Sequence, residues 1–142
     1  MNEPVRVTGL SRGARGLLLA KWGIEREGGP LLVVCPTNEM AAELAEEIET
    51  LSETALGRTV RAAAFAGWDH SPYSSIAPSI GARLSRIALL TRLAKGDDAP
   101  DIVLTSLPAA LHRTIPLAML DSRSFVLRQG ESVGNREQLA RN

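Results

Sequence analysis

Aromatic residues and cysteine are both scarce. Phe, Trp and Tyr together supply five of the 142 residues, so a core has to be assembled from Leu, Ile, Val and Ala. Cys35 is the single cysteine; it excludes an intrachain disulfide and a zinc site built from thiolates, and points to a reducing compartment. No apolar run approaches the ~18 residues that a membrane-spanning helix needs. The opening, Met1-Asn2-Glu3-Pro4, has no basic-then-apolar layout of a signal peptide. An excess of one charge is missing too: 16 basic residues face 16 acidic ones. A global pull towards nucleic acid is therefore absent, although a local patch stays open. There is no internal repeat and no low-complexity segment. What is present is 44% hydrophobic residues in a length usual for one domain. A soluble, cytoplasmic chain is expected.

The pattern alternates between strand and helix. Val5-Arg6-Val7 reads as a short strand, and Gly13 to about Arg26 as a helix stopped by Gly28-Gly29-Pro30. Leu31 to Cys35 is apolar throughout, as in a strand covered on both faces. Thr37 or Asn38 caps a helix to about Leu51, with Met40, Leu44 and Ile48 on one side and Glu43, Glu46, Glu47 and Glu49 elsewhere. Thr59 to Phe65 is a third strand candidate. The long segment AGWDHSPYSSIAPS follows, of a length that inside a compact domain usually serves function or a partner. Ile80 to Ala94 reads as a helix with Leu84, Ile87, Leu90 and Leu93 as its core stripe. Asp101 to Leu104 is a fourth strand, and Ser106 caps a short helix from Pro108 to Arg113. Pro116 breaks the pattern. Ser124 to Val133 alternates like an edge strand, and Asn135 to Asn142 like the start of a helix. Such alternation implies parallel pairing and a three-layer α/β domain.

GLSRGARG, Gly9 to Gly16, stands where a phosphate-binding loop would stand. A working loop reads G-x-x-x-x-G-K-[ST], with lysine on the β- and γ-phosphates and a hydroxyl on Mg²⁺. Laid from Gly9, the second glycine is Ala14, the lysine is Arg15 and the hydroxyl residue is Gly16. Gly13 still lends the segment its glycine character. Arg15 keeps a charge without the compact ammonium, and Gly16 removes the metal ligand. Losing two charged contacts of roughly 1.5–3 kcal/mol each would weaken binding about 10²- to 10⁴-fold. Three readings stand side by side: a plain strand–helix turn, a degenerate nucleotide loop, and a working loop aided by the helix N-terminus.

CPTNEMAAEL, Cys35 to Leu44, resembles the strand-end motif that follows the phosphate loop in superfamily 2 helicases. FAGWDHSPYSSIAPSIGARLSRIALLTRL, Phe65 to Leu93, is more specific. It resembles the aromatic-acid-x-x-P-Y stretch and the R-L-x-x-[LI] helix of transcription-repair coupling factors. DIVLTSLPAALHRTIP and FVLRQGESVGNREQLARN resemble the segments that follow in that family. The resemblance implies a UvrB-like, degenerate helicase or RecA-like domain over residues 1–118 and the start of a second UvrB-like module over 119–142. It implies that the whole protein is an ATP- and Mg-dependent DNA translocase, which displaces stalled RNA polymerase and recruits UvrA for excision repair. This part would be a non-catalytic interaction and autoinhibitory scaffold, packed on other modules of the same chain, with no cofactor of its own. Direct DNA contact would be weak or absent, and no membrane is involved. The rival reading is the nucleotide-binding lobe of a helicase-like ATPase.

Trp68, Tyr73, Arg83 and Arg86 are the candidate interaction residues. Trp68 and Tyr73 sit in the long segment. Arg83 and Arg86 lie three apart on one helical face, suited to a phosphate backbone or an intramolecular contact, or simply solvated. His70 and His112 have no carboxylate at ligand spacing, so no metal site is expected. Asp69 beside His70 is a poor acid–base pair, since sequence neighbours on a loop seldom face each other. Ser71, Ser74, Ser75 and Ser79 read as turn and cap residues, because none lies in a G-x-S-x-G elbow. No catalytic residue is expected.

Overall fold

The computed structural model describes residues 4–68, 75, 77–96, 98–124 and 130. Each long helix starts where a hydroxyl residue can take the place of a missing intrahelical acceptor. Ser11 Oγ accepts from the Ala14 N–H at the head of α1 (Arg12–Glu25). Thr37 Oγ1 accepts from the Met40 N–H at 3.1 Å and opens α2 (Asn38–Leu56). Ser79 does the same for Ala82 in α3 (Ile80–Lys95), and Ser106 for Ala109 in α4 (Leu107–Leu111). Glycine ends two of them: Gly57 and Gly96 follow α2 and α3 with φ of 62° and 70°, a left-handed turn in which a side chain would be strained. Between the helices run β1 (Leu31–Cys35), β2 (Ala62–Phe65) and β3 (Ile102–Ser106). α5 (Leu117–Arg123) follows Pro116, whose carbonyl accepts from Met119 and Leu120.

The three strands form one parallel sheet in the order β1-β3-β2, with Leu31 and Ala62 both in register with Ile102. β3 is central, and all five of its residues are buried, as a strand covered on both faces should be. On one face α1 and α2 close over Ile102, Leu104 and Cys35, bringing in Ala20, Leu44 and Ile48. On the other face α3 lays Leu89 against Phe65 and Val103. The layers are thus helix, sheet, helix, and the three-layer α/β expectation is met at that level.

Several finer expectations are corrected. Val5-Arg6-Val7 forms no strand and both valines are exposed; three residues with a charge in the middle offer too little apolar surface to hold a place in the sheet. β1 is covered on one face only. Leu32 and Val34 are 62% and 53% exposed, because β1 is at the sheet's edge and α3 sits over β2 and β3. In α3 the stripe has a different phase. Leu84 is 60% exposed and Ile87 is exposed, whereas Arg86, Leu89 and Thr91 are buried, with Leu90 and Leu93 half-buried. Apolar residues surround this helix on most sides, so spacing alone could not fix which side turns inward. α2 continues five residues beyond Leu51, to the turn at Gly57. α4 is shorter than expected, and α5 was hidden because Pro116 reads as a break. Proline tolerates a helix start, where its missing N–H is not needed.

The expected division at 118/119 falls inside α5, whose Leu120 is buried. Apart from Gly130, residues 125–142 lie outside the described residues, including most of the Ser124–Val133 strand candidate and all of Asn135–Asn142. No helix among the described residues is long and apolar enough to cross a membrane.

Candidate interaction site

The glycine-rich segment folds into the head of α1. Gly9 has φ of 78°, and Gly13, Ala14, Arg15 and Gly16 all lie within the helix. The surroundings of this helix head are acidic. Arg12 donates from Nη2 to Glu43 Oε2 at 2.7 Å and from Nε to Glu47 Oε2 at 3.2 Å. These two carboxylates of α2 hold the Arg12 guanidinium above its ordinary pKa, Glu47 most strongly. They also line a cavity of about 220 Å³ with Leu10, Arg15 and Met40. A triphosphate there would meet two carboxylates and a cation already paired with both. At Gly16 an added Cβ would stand 3.1 Å from Leu51 Cδ1 and 3.2 Å from Glu47 Oε1. The position that carries the Mg-binding hydroxyl in a working loop is buried against α2.

Arg15 lies close to the end of β1. Its Nε is buried with no hydrogen-bond partner. Burial pushes the Cys35 thiol above its ordinary pKa, and the charge of Arg15 opposes that rise. Beside them the end of β3 is tied to the head of α2. Ser106 Oγ donates to Asn38 Oδ1 at 2.6 Å and accepts from the Ala109 N–H. Gly67 lies so near Asn38 that a Cβ would stand 2.7 Å from Oδ1. The carboxyl ends of parallel strands are where open α/β sheets commonly bind ligands. Here Ser106 and Asn38 satisfy each other.

A second group of residues gathers on the α3 side. Arg86 is 3% exposed. Its guanidinium carbon lies 4.0 Å from the centre of the Phe65 ring and 4.6 Å from that of Trp68, within cation–π range. Nη1 donates to the Ala66 carbonyl at 2.6 Å, while Nη2 is buried without a partner. Burial lowers the Arg86 pKa from its ordinary value. Trp68 also meets His112, edge to face, with ring centres 6.3 Å apart; the His112 Nδ1 is buried and unbonded. A cavity of about 160 Å³ opens beside Arg86, lined also by Trp68, Arg83, Ile87, Arg113 and Ile115.

Of the four candidate interaction residues, the structure brings three together. Trp68, Arg83 and Arg86 line one cavity. Arg86 is not on a solvated face as its spacing allowed; only Arg83 of the pair is exposed. Tyr73 lies outside the described residues, as do Asp69, His70, Ser71 and Ser74. Ser79 is the cap of α3. His112 and Arg113 join Trp68 here, and no local sequence pattern joins residues so far apart. Among the described residues, no group of three or more His, Cys, Asp or Glu is placed to hold a metal. Compared with protein-family models and with curated proteins, the chain matches none.

Proposed function

We propose that this chain is a non-catalytic, UvrB-like module at the N-terminal end of a transcription-repair coupling factor. Its job is to be a scaffold: it packs on other modules of the same protein, restrains them, and supports the surface that recruits UvrA when RNA polymerase stalls. The observation that carries the reading is the stretch from Phe65 to Leu93, with its W-D-x-x-P-Y-x-x-x-x-P and R-L-x-x-I patterns in the order that family uses. The parallel sheet with helices on both sides is compatible with a degenerate helicase-like domain. The non-catalytic part is supported at the head of α1. Glu43 and Glu47 face the place of the phosphates, Arg12 is paired with both, and Gly16 is packed against Leu51. ATP and Mg then belong to the motor of the whole protein.

Two measurements test this. The gene is read beyond the codon for Asn142; polymerase-binding and translocase domains are expected there, and their absence overturns the coupling-factor reading. The chain is also titrated with Mg-ATP by calorimetry. No heat is expected at nucleotide concentrations that saturate ordinary ATPases. Micromolar binding that Arg15→Ala abolishes would replace the scaffold with the nucleotide-binding lobe of a helicase-like ATPase.

A further inference from the structure

Among the described residues nothing pairs with the outer edge of β1, whose one neighbour in the sheet is β3. The Leu31 N–H donates inward to the Asp101 carbonyl. In a parallel ladder every second residue then turns its N–H and C=O the other way, so Leu32 and Val34 present theirs along the open side. β1 lacks the usual guards of an edge. It carries no charge, and Pro30 and Pro36 stand just outside it. Leu32 and Val34 are bare on the side that α3 leaves open. On the α1 side a groove of about 330 Å³ lies beside Leu31, lined by Trp22, Glu25 and Arg26. Its charges already have partners: Glu25 pairs with Lys21, and Arg26 Nε donates to the Gly29 carbonyl. Trp22 is 43% exposed. The whole edge thus offers backbone hydrogen bonds between apolar flanks, which is what an extended strand needs and a charged ligand does not.

The strand that fits this edge is β1 itself. Two copies that offer the same edge meet about a two-fold axis and run antiparallel. In an antiparallel pair, opposite residues that exchange two hydrogen bonds alternate with opposite residues that exchange none. With the axis at Val33, Leu32 of each copy lies opposite Val34 of the other, and every outward group is used. The prolines exclude the neighbouring registers. An axis at Leu32 sets Val34 opposite Pro30, and an axis at Val34 sets Leu32 opposite Pro36; proline has no N–H to donate. Opposite residues share a face of the sheet, so the Leu32 and Val34 side chains of both copies meet where each copy alone leaves its own in water.

We propose that the outer edge of β1 is a self-association site, at which two copies of this chain pair antiparallel about Val33 into one continuous sheet. The area sets its strength. Trp22, Leu32 and Val34 with a short stretch of backbone fall short of the roughly 800 Å² a partner that standard interfaces bury. The zero net charge of the chain adds no repulsion. The pair therefore forms and separates with concentration, with half-association between about 10 μM and 1 mM. The pairing owes nothing to the family resemblance, so it stands or falls apart from the coupling-factor reading.

The test combines sedimentation velocity across that concentration range with cysteine cross-linking that reads the register. Leu32→Cys, Val33→Cys and Val34→Cys are each made in a Cys35→Ala chain and oxidised with copper phenanthroline. The axis sets residue 33 opposite its own copy, with Cα atoms about 4.5 Å apart, within reach of a disulfide. Residues 32 and 34 lie diagonally from their own copies, beyond the roughly 7 Å that a disulfide spans. Val33→Cys is therefore expected to link at least about tenfold faster than the other two. Random collision predicts the opposite order, because Val33 is half-buried while Leu32 and Val34 are exposed. Val34→Pro removes an outward N–H that β3 does not use, a change that edge strands tolerate, and should leave the chain monomeric. If that variant fails to fold, the order of cross-linking still decides. A natural chain that stays monomeric at about 1 mM overturns the proposal. So does a dimer in which Leu32→Cys or Val34→Cys links as fast as Val33→Cys, because the copies would then meet through another surface or register.

Discussion

At Gly67 the backbone passes so close to Asn38 that an added methyl group would stand 2.7 Å from its Oδ1. Asn38 cannot retreat freely, because that oxygen accepts from Ser106 Oγ at 2.6 Å. Gly67→Ala is therefore expected to break the tie between α2 and the end of β3, at a cost of about 1–3 kcal/mol. Urea unfolding measures it; a loss under 0.5 kcal/mol would show that the tie is slack. Cys35 offers a second residue-level test. The residue is 4% exposed, and burial holds the thiol's pKa up despite Arg15. Since the thiolate is the reacting form, iodoacetamide at mildly alkaline pH should label the native chain at least about tenfold more slowly than the urea-unfolded one. Comparable rates would place Cys35 in solvent. The sequence made Cys35 legible as a core residue, because it closes an apolar run. It could not make Arg86 legible. A guanidinium is normally assigned to solvent, and here the rings of Phe65 and Trp68 and the Ala66 carbonyl reach Arg86 from another part of the chain.

Elements were legible where their ends carry their own chemistry. Ser106 is a cap in the sequence and in the structure, Thr37 takes the place that the sequence shared between Thr37 and Asn38, and Ser79 is the cap among the serines read as turn and cap residues. Where an end depends on a distant partner, the reading stopped short. α2 appeared to finish near Leu51, yet Ser52 is wholly buried one turn before its end. Ser52 Oγ donates to the Glu49 carbonyl and accepts from the Val60 N–H at 3.0 Å, joining the last turn of α2 to the lead-in of β2. Ser52→Ala leaves that buried N–H without an acceptor, so about 1–3 kcal/mol should be lost. A neutral effect in urea unfolding would mean that water reaches Val60. At the other end of α2 the effect depends on pH. The Glu39 carboxyl is held below its ordinary pKa by the backbone N–H and the Thr37 side chain. A carboxyl depressed in the folded state adds stability that is present above its unfolded pKa and is lost as pH falls through its folded one. The stability gap between the natural chain and Glu39→Gln should thus be present at pH 7 and close below about pH 4. A gap that persists in acid would contradict this origin.

At the scale of the molecule, alternation of strand and helix sufficed for a parallel three-layer fold, but not for the order of its strands. β1 reads as interior because all five residues are apolar, and it lies at an edge. The two edges of the sheet are treated differently. At β2 the Ala62 N–H donates to Glu49 Oε1 at 3.1 Å, which covers the point where another strand could add. At β1 the Leu31 N–H turns inward to Asp101, so the alternating pattern of a parallel ladder directs the backbone groups of Leu32 and Val34 outward. Their side chains are also exposed. An unprotected edge with an apolar face invites pairing with another chain, and with no net charge there is no long-range repulsion to oppose it. The isolated chain should therefore associate as its concentration rises, through β1. Leu32→Lys with Val34→Lys places charge on that edge without touching the core, so sedimentation velocity should show a monomer. Stability should stay within roughly 0.5 kcal/mol, as at other exposed sites. If the double variant associates as strongly as the natural chain, the contact lies elsewhere, and the apolar face of α3 and α5 becomes the surface to charge next. If it becomes monomeric but loses well over 1 kcal/mol, Leu32 and Val34 are covered in the native chain.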